Sequence, residues 1–552
     1  MSNAHSSAGV YVTELNLSQR VAAASVSIGA IVGPSDRGPI MDRVLVTSVR
    51  QFIETFGAPN PKTGYMHYAA LTFLEQSSRL YVTRVASRLN DVLTAGAFLS
   101  VDDATATVPV LRLNNFDDGS SQPLGKYDPY NTLSFDPSTP GVENILAFFC
   151  AINPGTWNNG LYLAIRPSNK RGIAVPDDPS LFWVDVFMDY KSPRQMPVES
   201  FLVSRDFRTD GFGRQMNIEE VINHRSAYIR VRQNPYAVPV LPFLTTAHEF
   251  LSGATNGSPA EEGQVALGWD LYRDPEQLDV NILIQGGYPS TAVQLKMDDI
   301  CQDRMDCISV LDVPSGEQGV SPAISFRRNA LNLDSSRSAM YSPDIKILDT
   351  YNDREIFVPP SGHAAAAYAR TDAVAETWFA PAGMDRGRLN ILGIRQIYNQ
   401  GDRDALADAQ INVIRVIPGA GYKIWGADTL QTMASALSNV NVRRLLNFIE
   451  KSISIAALYS VFEPNDAILQ QRLKDMVNRF LQPIKYGEGL YSFTVVCDES
   501  NNLPEVIASG DTMLDVYLDP VLPAKRIKLN AIVTKTGANF KELALSRSGV
   551  SQ

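Results

Sequence analysis

Cysteine and histidine are scarce in this chain of 552 residues, with four of the first and five of the second. Cys301 and Cys307 are separated by five residues, while Cys150 and Cys497 stand alone. A disulfide framework or a zinc knuckle needs more cysteines or tighter pairs. Four reduced, mostly buried thiols, made in a reducing cytoplasm, are therefore expected. His5, His67, His224, His248 and His363 never recur at the H-x-x-x-H spacing of a helical metal site. Phosphate cradles are missing too. Neither G-x-G-x-x-G nor G-x-x-x-x-G-K-[ST] occurs, and the stretch 419–426 (GAGYKIWG) has the wrong spacing. No G-x-S-x-G elbow is present. Asp117-Asp118 reads as turn chemistry and Asp298-Asp299 as a solvated helix face. The expectation is no catalytic, cofactor-binding or metal site, and no enzyme.

Positive charge is not in excess: 49 Lys and Arg stand against 59 Asp and Glu, a net charge of −10. An acidic chain without a long basic run suits nucleic acid poorly, so no direct nucleic-acid partner is expected. Apolar runs such as 26–33 (VSIGAIVG) fall far short of the roughly 20 residues that span a bilayer, which argues against membrane insertion. The first 20 residues lack the basic and then apolar pattern of a secretion signal. The remainder is ordinary globular composition, 45% hydrophobic and 20% charged, enough for three or four domains of about 100–200 residues.

The order of elements is informative. Val10-Tyr11-Val12-Thr13-Glu14-Leu15 reads as a short strand, cut off from the next apolar run by the polar stretch 16–20. The run 25–33 is a buried strand ended by Gly33-Pro34, and 45–47 is a second strand. Ser48 caps a helix over 49–56 that stops at Gly57. A helix over 65–76 and a strand over 80–85 follow. Between 96 and about 245 helical periodicity nearly vanishes, and turn clusters separate strand-like runs such as 161–166 and 181–188. The α/β pattern returns over 246–375, with strands at 280–284 and 307–313 and helices at 292–304 and 362–378. Two strong helices, 442–458 and 465–481, precede strands at 491–497 and 513–518. Beyond Pro520 and Pro523, Ile527, Leu529, Ala531 and Val533 recur at every second position, the period of a strand.

Several motifs, in order, resemble those of the contractile tail sheath proteins of bacteriophages and R-type pyocins. They begin with Gly9-Val10-Tyr11-Val12-Thr13-Glu14, Val32-Gly33 with Gly38-Pro39, Phe52 with Phe56-Gly57, and 79–85 (RLYVTRV). Pro154-Gly155-Thr156-Trp157, Pro360-Ser361-Gly362 and Ala380-Pro381-Ala382-Gly383 follow. The most specific are Trp425-Gly426 with Thr429-Leu430, Val442-Arg443-Arg444-Leu445, Phe462-Glu463-Pro464-Asn465-Asp466, and Cys497-Asp498 with Asn501-Asn502. The set spans nearly the whole chain and is weakest in the middle.

Pattern and resemblance together imply an α/β (α+β) multidomain protein whose discontinuous core joins N- and C-terminal blocks. The expected division is an extended arm over 1–22, the first part of the core over 23–95, an inserted β-rich outer domain over 96–245, an α/β middle domain over 246–375, the second part of the core over 376–522, and a second arm over 523–552. The resemblance implies a subunit that stacks in helical rings around an inner tail tube, with baseplate and tail terminator proteins as further partners. It would sit in the virion tail, be assembled in the bacterial host cytoplasm, and contract to drive the tube through the host envelope. A sheath of a non-viral contractile injection apparatus is an alternative. An α/β enzyme or carbohydrate-binding protein with a β insertion is another.

Strand exchange between subunits would run through Val10, Tyr11, Val12, Thr13 and Glu14 at one end and Ile527, Leu529, Ala531 and Val533 at the other. Both strands lie beyond a polar or proline break and suit β-augmentation. The opposing possibility is that both fold back onto their own domain. Over 443–485 seven basic side chains outnumber four acidic ones, so Arg443, Arg444, Arg472, Lys474 and Arg479 are candidates to face an acidic tube. A solvated helix face, or internal ion pairs at Arg443 and Arg444, is the competing reading.

Overall fold

The computed structural model describes residues 27–60, 64–86, 93–101, 111–115, 130, 135–138, 142–168, 180–237, 246–257, 259–288 and 290–526. The candidate exchange strands at 10–14 and 527–533 lie outside the described residues.

The first block contains β1 (Gly29–Gly33), β2 (Arg43–Val46), α1 (Val49–Phe56), α2 (Met66–Leu74) and β3 (Leu80–Arg84). Local chemistry sets α1: the Ser48 side chain accepts from the Gln51 backbone N–H, and Gly57, at φ 89°, ends the helix. The insertion carries β4 (Gly96–Val101), β5 (Leu111–Asn115), β6 (Ile145–Ala151), β7 (Leu161–Pro167), β8 (Leu181–Met188), β9 (Glu199–Ser204), α3 (Ile218–Arg225), β10 (Ile229–Gln233) and β11 (Ala247–Phe250). The body resumes with α4 (Glu262–Asp270), β12 (Ile282–Ile284), α5 (Thr291–Arg304), β13 (Ile308–Asp312), α6 (Val320–Ser325) and β14 (Ser338–Ser342). It continues through β15 (Ile345–Asp349), β16 (Arg354–Val358), α7 (Ser361–Val374), β17 (Arg388–Leu389), β18 (Gly393–Ile394), α8 (Gln400–Asp408), β19 (Ile411–Ile417) and β20 (Gly421–Ile424). The last unit is α9 (Val440–Ala457), α10 (Ala467–Tyr486), β21 (Leu490–Val496), α11 (Pro504–Ala508) and β22 (Asp515–Pro520).

One nine-stranded sheet, in the order β17-β20-β19-β14-β13-β12-β1-β3-β2, forms the body. From β19 to β3 neighbouring strands are parallel, and antiparallel strands close both ends. A parallel sheet must be covered on both faces, which explains why its inner strands read as continuous apolar runs. Successive residues point to opposite faces: Ile31, Ile284, Val310 and Tyr341 enter one core with α1, α2 and α7, whereas Val32, Leu283, Leu311 and Met340 enter the other with α4 and α5. Helices α2 and α7 touch closely because Gly362 has no side chain. A Cβ there would stand 2.4 Å from the Ala69 Cα.

The core is discontinuous, as the patterning implies, but the division within it differs. The stretch 246–375, set apart by its periodicity as a middle domain, contributes β12, β13 and β14 to the centre of the same sheet as β1 and β3. The unit that stands apart is 440–520. Periodicity identifies strands one at a time, whereas sheet membership depends on pairing between residues more than 200 positions apart.

The insertion is two antiparallel four-stranded sheets, β10-β6-β4-β5 and β11-β7-β8-β9, around a shared core that includes Leu99, Phe149, Leu163, Val184 and Val231. It runs past residue 245, because β11 pairs with β7 and Gly96 bridges to Ser252. Its joint with the body gathers several motif residues. The buried Arg84 donates to the Gly38 and Pro154 carbonyls at 2.8 and 2.7 Å, and the Arg37 guanidinium lies 4.4 Å from the Trp157 ring centroid.

Two histidines are buried in the body. Burial brings both His67 and His363 from 6.5 to about 4, so both are neutral at pH 7. A histidine held neutral by the fold contributes stability that is present above pH 6.5 and lost as pH falls toward 4. At about 1.4 kcal/mol per pH unit, moving from pH 6.5 to 5 removes about 2 kcal/mol per histidine. The expected result is a denaturant midpoint that falls between pH 7 and 5 in the native chain and clearly less in His67→Gln/His363→Gln. Equal falls in both would refute this origin.

Candidate assembly interface

The C-terminal unit has its own core. Leu445, Ile449, Leu473, Val477, Leu481 and Ile484 from α9 and α10 pack with Leu490 and Val495 of β21. The Asp466 side chain caps α10 by accepting from the Leu469 N–H at 2.8 Å. Strands β21 and β22 pair antiparallel, with Phe493 opposite Leu518 and Val495 opposite Val516. They form a two-stranded sheet on which no third strand lies among the described residues. Its outer face shows Tyr491 and Tyr517, both more than 60% exposed. A two-stranded sheet is marginal alone, and each outer edge offers a row of unpaired N–H and C=O groups.

The loop closing this hairpin is built by two motif asparagines. The Asn502 side chain donates to the Met513 carbonyl and accepts from the Met513 N–H, at 2.9 and 2.6 Å. Asn501 donates to Asp515 at 2.9 Å. Beyond β22 the chain is held by the Val521 N–H on the Gly489 carbonyl and by Lys525 on Asp428.

The candidate tube-facing residues separate into two groups. Arg443 and Arg444 lie inside, with side chains 6% and 4% exposed. Burial, with Arg337 nearby, brings the Arg443 guanidinium down to about 10, against the pull of Glu450. Arg444 pairs with Asp372 at 2.6 Å, and its guanidinium lies 4.9 Å from the Tyr368 ring centroid. Arg444 joins the unit to the body, whereas Arg443 bonds Asn447 and Glu450 within α9, and both are buried in the folded chain. The carboxylate partner of Arg444 is what the local sequence does not reveal, Asp372 being 72 positions away. Lys474 pairs with Asp498 at 3.0 Å, and the Arg479 Nε donates to the Asp475 carbonyl. Arg472 and Arg479 are exposed on α10.

A second surface escaped sequence reasoning. Between α9 and α10 and in the first turn of α10 the chain displays Leu458, Tyr459, Val461, Phe462 and Ile468 to solvent, each more than half exposed. Phe462 is fully exposed and has φ 68°, the left-handed region, which costs a bulky residue about 1–2 kcal/mol. Strain that holds an apolar ring in water marks a surface awaiting a partner. The motif Phe462-Glu463-Pro464-Asn465-Asp466 was the available signal, without any indication of which side chain is displayed.

Residues 270–430 match the family described as phage tail sheath protein central domain, and residues 432–534 match the phage tail sheath C-terminal domain. The break between the two matches falls where the chain leaves the nine-stranded sheet for the C-terminal unit. The tail sheath protein of Enterobacteria phage T4 is 31% identical over 313 residues, covering 53% of this chain and 47% of the relative. That of Vibrio phage KVP40 is 29% identical over 375 residues, covering 62% and 54%. The chain thus spans about half the length of the curated relatives it matches. Among solved structures, a sheath tail protein from Listeria innocua superposes with a TM-score of 0.56 at 11% identity, covering 91% of this chain and 97% of that one. One from Desulfitobacterium hafniense gives 0.55 at 14%, covering 93% and 97%. The PVC sheath complex of an extracellular contractile injection system, in its contracted state, gives 0.51 at 15%, covering 96% and 98%. At these identities the likeness is one of fold.

Proposed function

Since the chain belongs to the phage tail sheath family, carrying its central and C-terminal domains in order, we propose that it is a structural subunit rather than an enzyme. It polymerises helically around an inner tail tube and contracts to drive that tube through the host envelope. Copies of itself, the tube, the baseplate and the tail terminator are its partners, in a virion tail assembled in the host cytoplasm. The observation that carries this reading is the two-stranded sheet β21–β22, with both outer edges unpaired among the described residues. Residues 10–14 of one copy and 527–533 of another would add to it as strands. Main-chain hydrogen bonds then form a link tolerant of sequence, and the polar and proline-containing stretches beside each strand let bodies move while the link holds. Arg472 and Arg479 supply positive charge toward the tube.

The test is electron microscopy of the overexpressed, purified chain. Long tubes or sheath-like cylinders are expected. A chain that stays monomeric at high concentration, with or without tube protein, would sink the reading.

A further inference from the structure

A cleft of about 450 Å³ opens between α2, α7 and the segment 388–392. Leu71, Ile347, Leu348, Ile391 and Leu392 give it an apolar lining. His363, nine-tenths buried, lines it too, with its Nδ1 lacking a hydrogen-bond partner. Two guanidiniums, Arg370 and Arg388, stand at this cleft. Arg370 donates to the carbonyls of Arg386 and Arg388, and neither arginine has a carboxylate partner among the described residues. Their proximity is felt: burial and then the Arg388 charge hold the Arg370 guanidinium below its ordinary value. Of the acidic side chains lining the cleft, Asp349 is committed to Tyr68, Asn352 and Arg354, and Glu75 lies outside ion-pair distance of either arginine. The cleft therefore pairs apolar side chains with two guanidiniums that no carboxylate among the described residues neutralises.

The loop between α9 and α10 has the opposite character. It is an apolar knob with a carboxylate beside it. Glu463 follows the displayed Phe462, is exposed, and forms no ion pair among the described residues. The loop is held in shape by hydrogen bonds from the Val461 N–H to Leu458, from the Glu463 N–H to Ser460, and from the Asn465 side chain to Asp511. A chain's own knob is carried away from its own cleft. Helix α9 is anchored beside α7 through Arg444 and Asp372, then passes Asp279 and Asp306, which Lys451 pairs with, so that Leu458 lies about 20 Å further along.

We propose that the Phe462–Glu463 knob of one copy seats in the Arg370–Arg388 cleft of a second copy. The proposal rests on the sheath reading and adds to strand exchange a contact between folded bodies. Knob and cleft are different surfaces of the same chain, so the pairing is head-to-tail and propagates into rings or a helix, as a self-complementary patch would not. The Phe462 ring and its apolar neighbours leave water for the apolar side chains of the cleft, and Glu463 supplies a carboxylate to the two unpaired guanidiniums.

The test uses the full chain carrying Val461→Cys and Asn390→Cys, two exposed positions that leave Phe462, Glu463 and both arginines in place. The four native cysteines are buried and stay silent. Treated with a short bis-maleimide, tubes of the double variant should yield a ladder of covalent multimers on denaturing gels, whereas either single variant should run as monomer. Tubes without a ladder, a cross-link within one chain, or a cross-link only to another tail protein would each overturn the proposal and leave the sheath reading standing. If the native chain forms no tubes, both fall. A second measurement does not depend on the cysteines. Glu463→Arg and Arg388→Glu should each lower the yield of tubes at least tenfold, and their combination should restore most of it. Failure of the combination to restore assembly would also overturn the proposal.

Discussion

Removal of residues 524–552 should leave a soluble, folded monomer that forms no ordered tubes. The body has what it needs without them. The nine-stranded sheet closes by Ile424, and the C-terminal core is complete with β22, which ends at Pro520. The truncation gives up the Lys525–Asp428 contact, a surface ion pair worth about 0–1 kcal/mol, so the thermal midpoint should hardly move. Assembly should vanish, because no strand from this end remains to add to the open sheet of a neighbour. Prolines at Leu529 and Ala531 make a sharper version. Each removes one N–H donor from a candidate strand and leaves chain length and charge unchanged. Sedimentation and electron microscopy read the outcome, and normal tubes from either variant would end the strand-exchange account.

The second large effect lies at the junction of the C-terminal unit with the body. Arg444 and Asp372 are paired at 2.6 Å with side chains 4% and 5% exposed, and Ser27, the first described residue, donates to the same carboxylate oxygen at 2.7 Å. Removing one member of a buried pair strands the other's charge, at a cost of about 3–5 kcal/mol. Asp372→Asn and Arg444→Met should each destabilise by about that much. The double replacement should cost less than the sum, because no charge is then left unpaired. The loss should be local. Backbone amides of α9 should exchange faster, while those of β1 and β12, which are held by the sheet and its two cores, should not. Denaturation within about 0.5 kcal/mol of the native chain for either single variant would show the pair to be dispensable. Because this joint sets where the β21–β22 sheet stands on the body, both single variants should also polymerise poorly.

Much of the local structure was legible. The helix 49–56 was readable from Ser48, the apolar spacing of Phe52 and Phe56, and Gly57, all acting within one or two turns. Strands 161–166 and 181–188 appear as β7 and β8 within a residue of their expected ends. Both C-terminal helices appear as well, α10 running past Pro483 to Tyr486. The C-terminal surface was legible only in part. Arg472 and Arg479 are exposed on α10, but Arg443 and Arg444, equally basic in the sequence, are internal.

The chain's period, caps and turn residues were by themselves enough to place many of the elements and to show the β-rich character of the insertion, and the absence of enzymatic motifs is plain in the sequence. These depend on residues a few positions apart, which a linear reading can see. Only the tertiary structure decided that 282–342 fills the centre of the sheet begun at Gly29, that Arg444 meets Asp372, and that β21 and β22 pair with each other and, among the described residues, with no third strand. Each is a contact between distant stretches, chosen by which faces can be buried together and which charges can be matched once they are. The display of Phe462 is the same kind of decision: an apolar side chain reads as core until packing shows that its ring has been left in water.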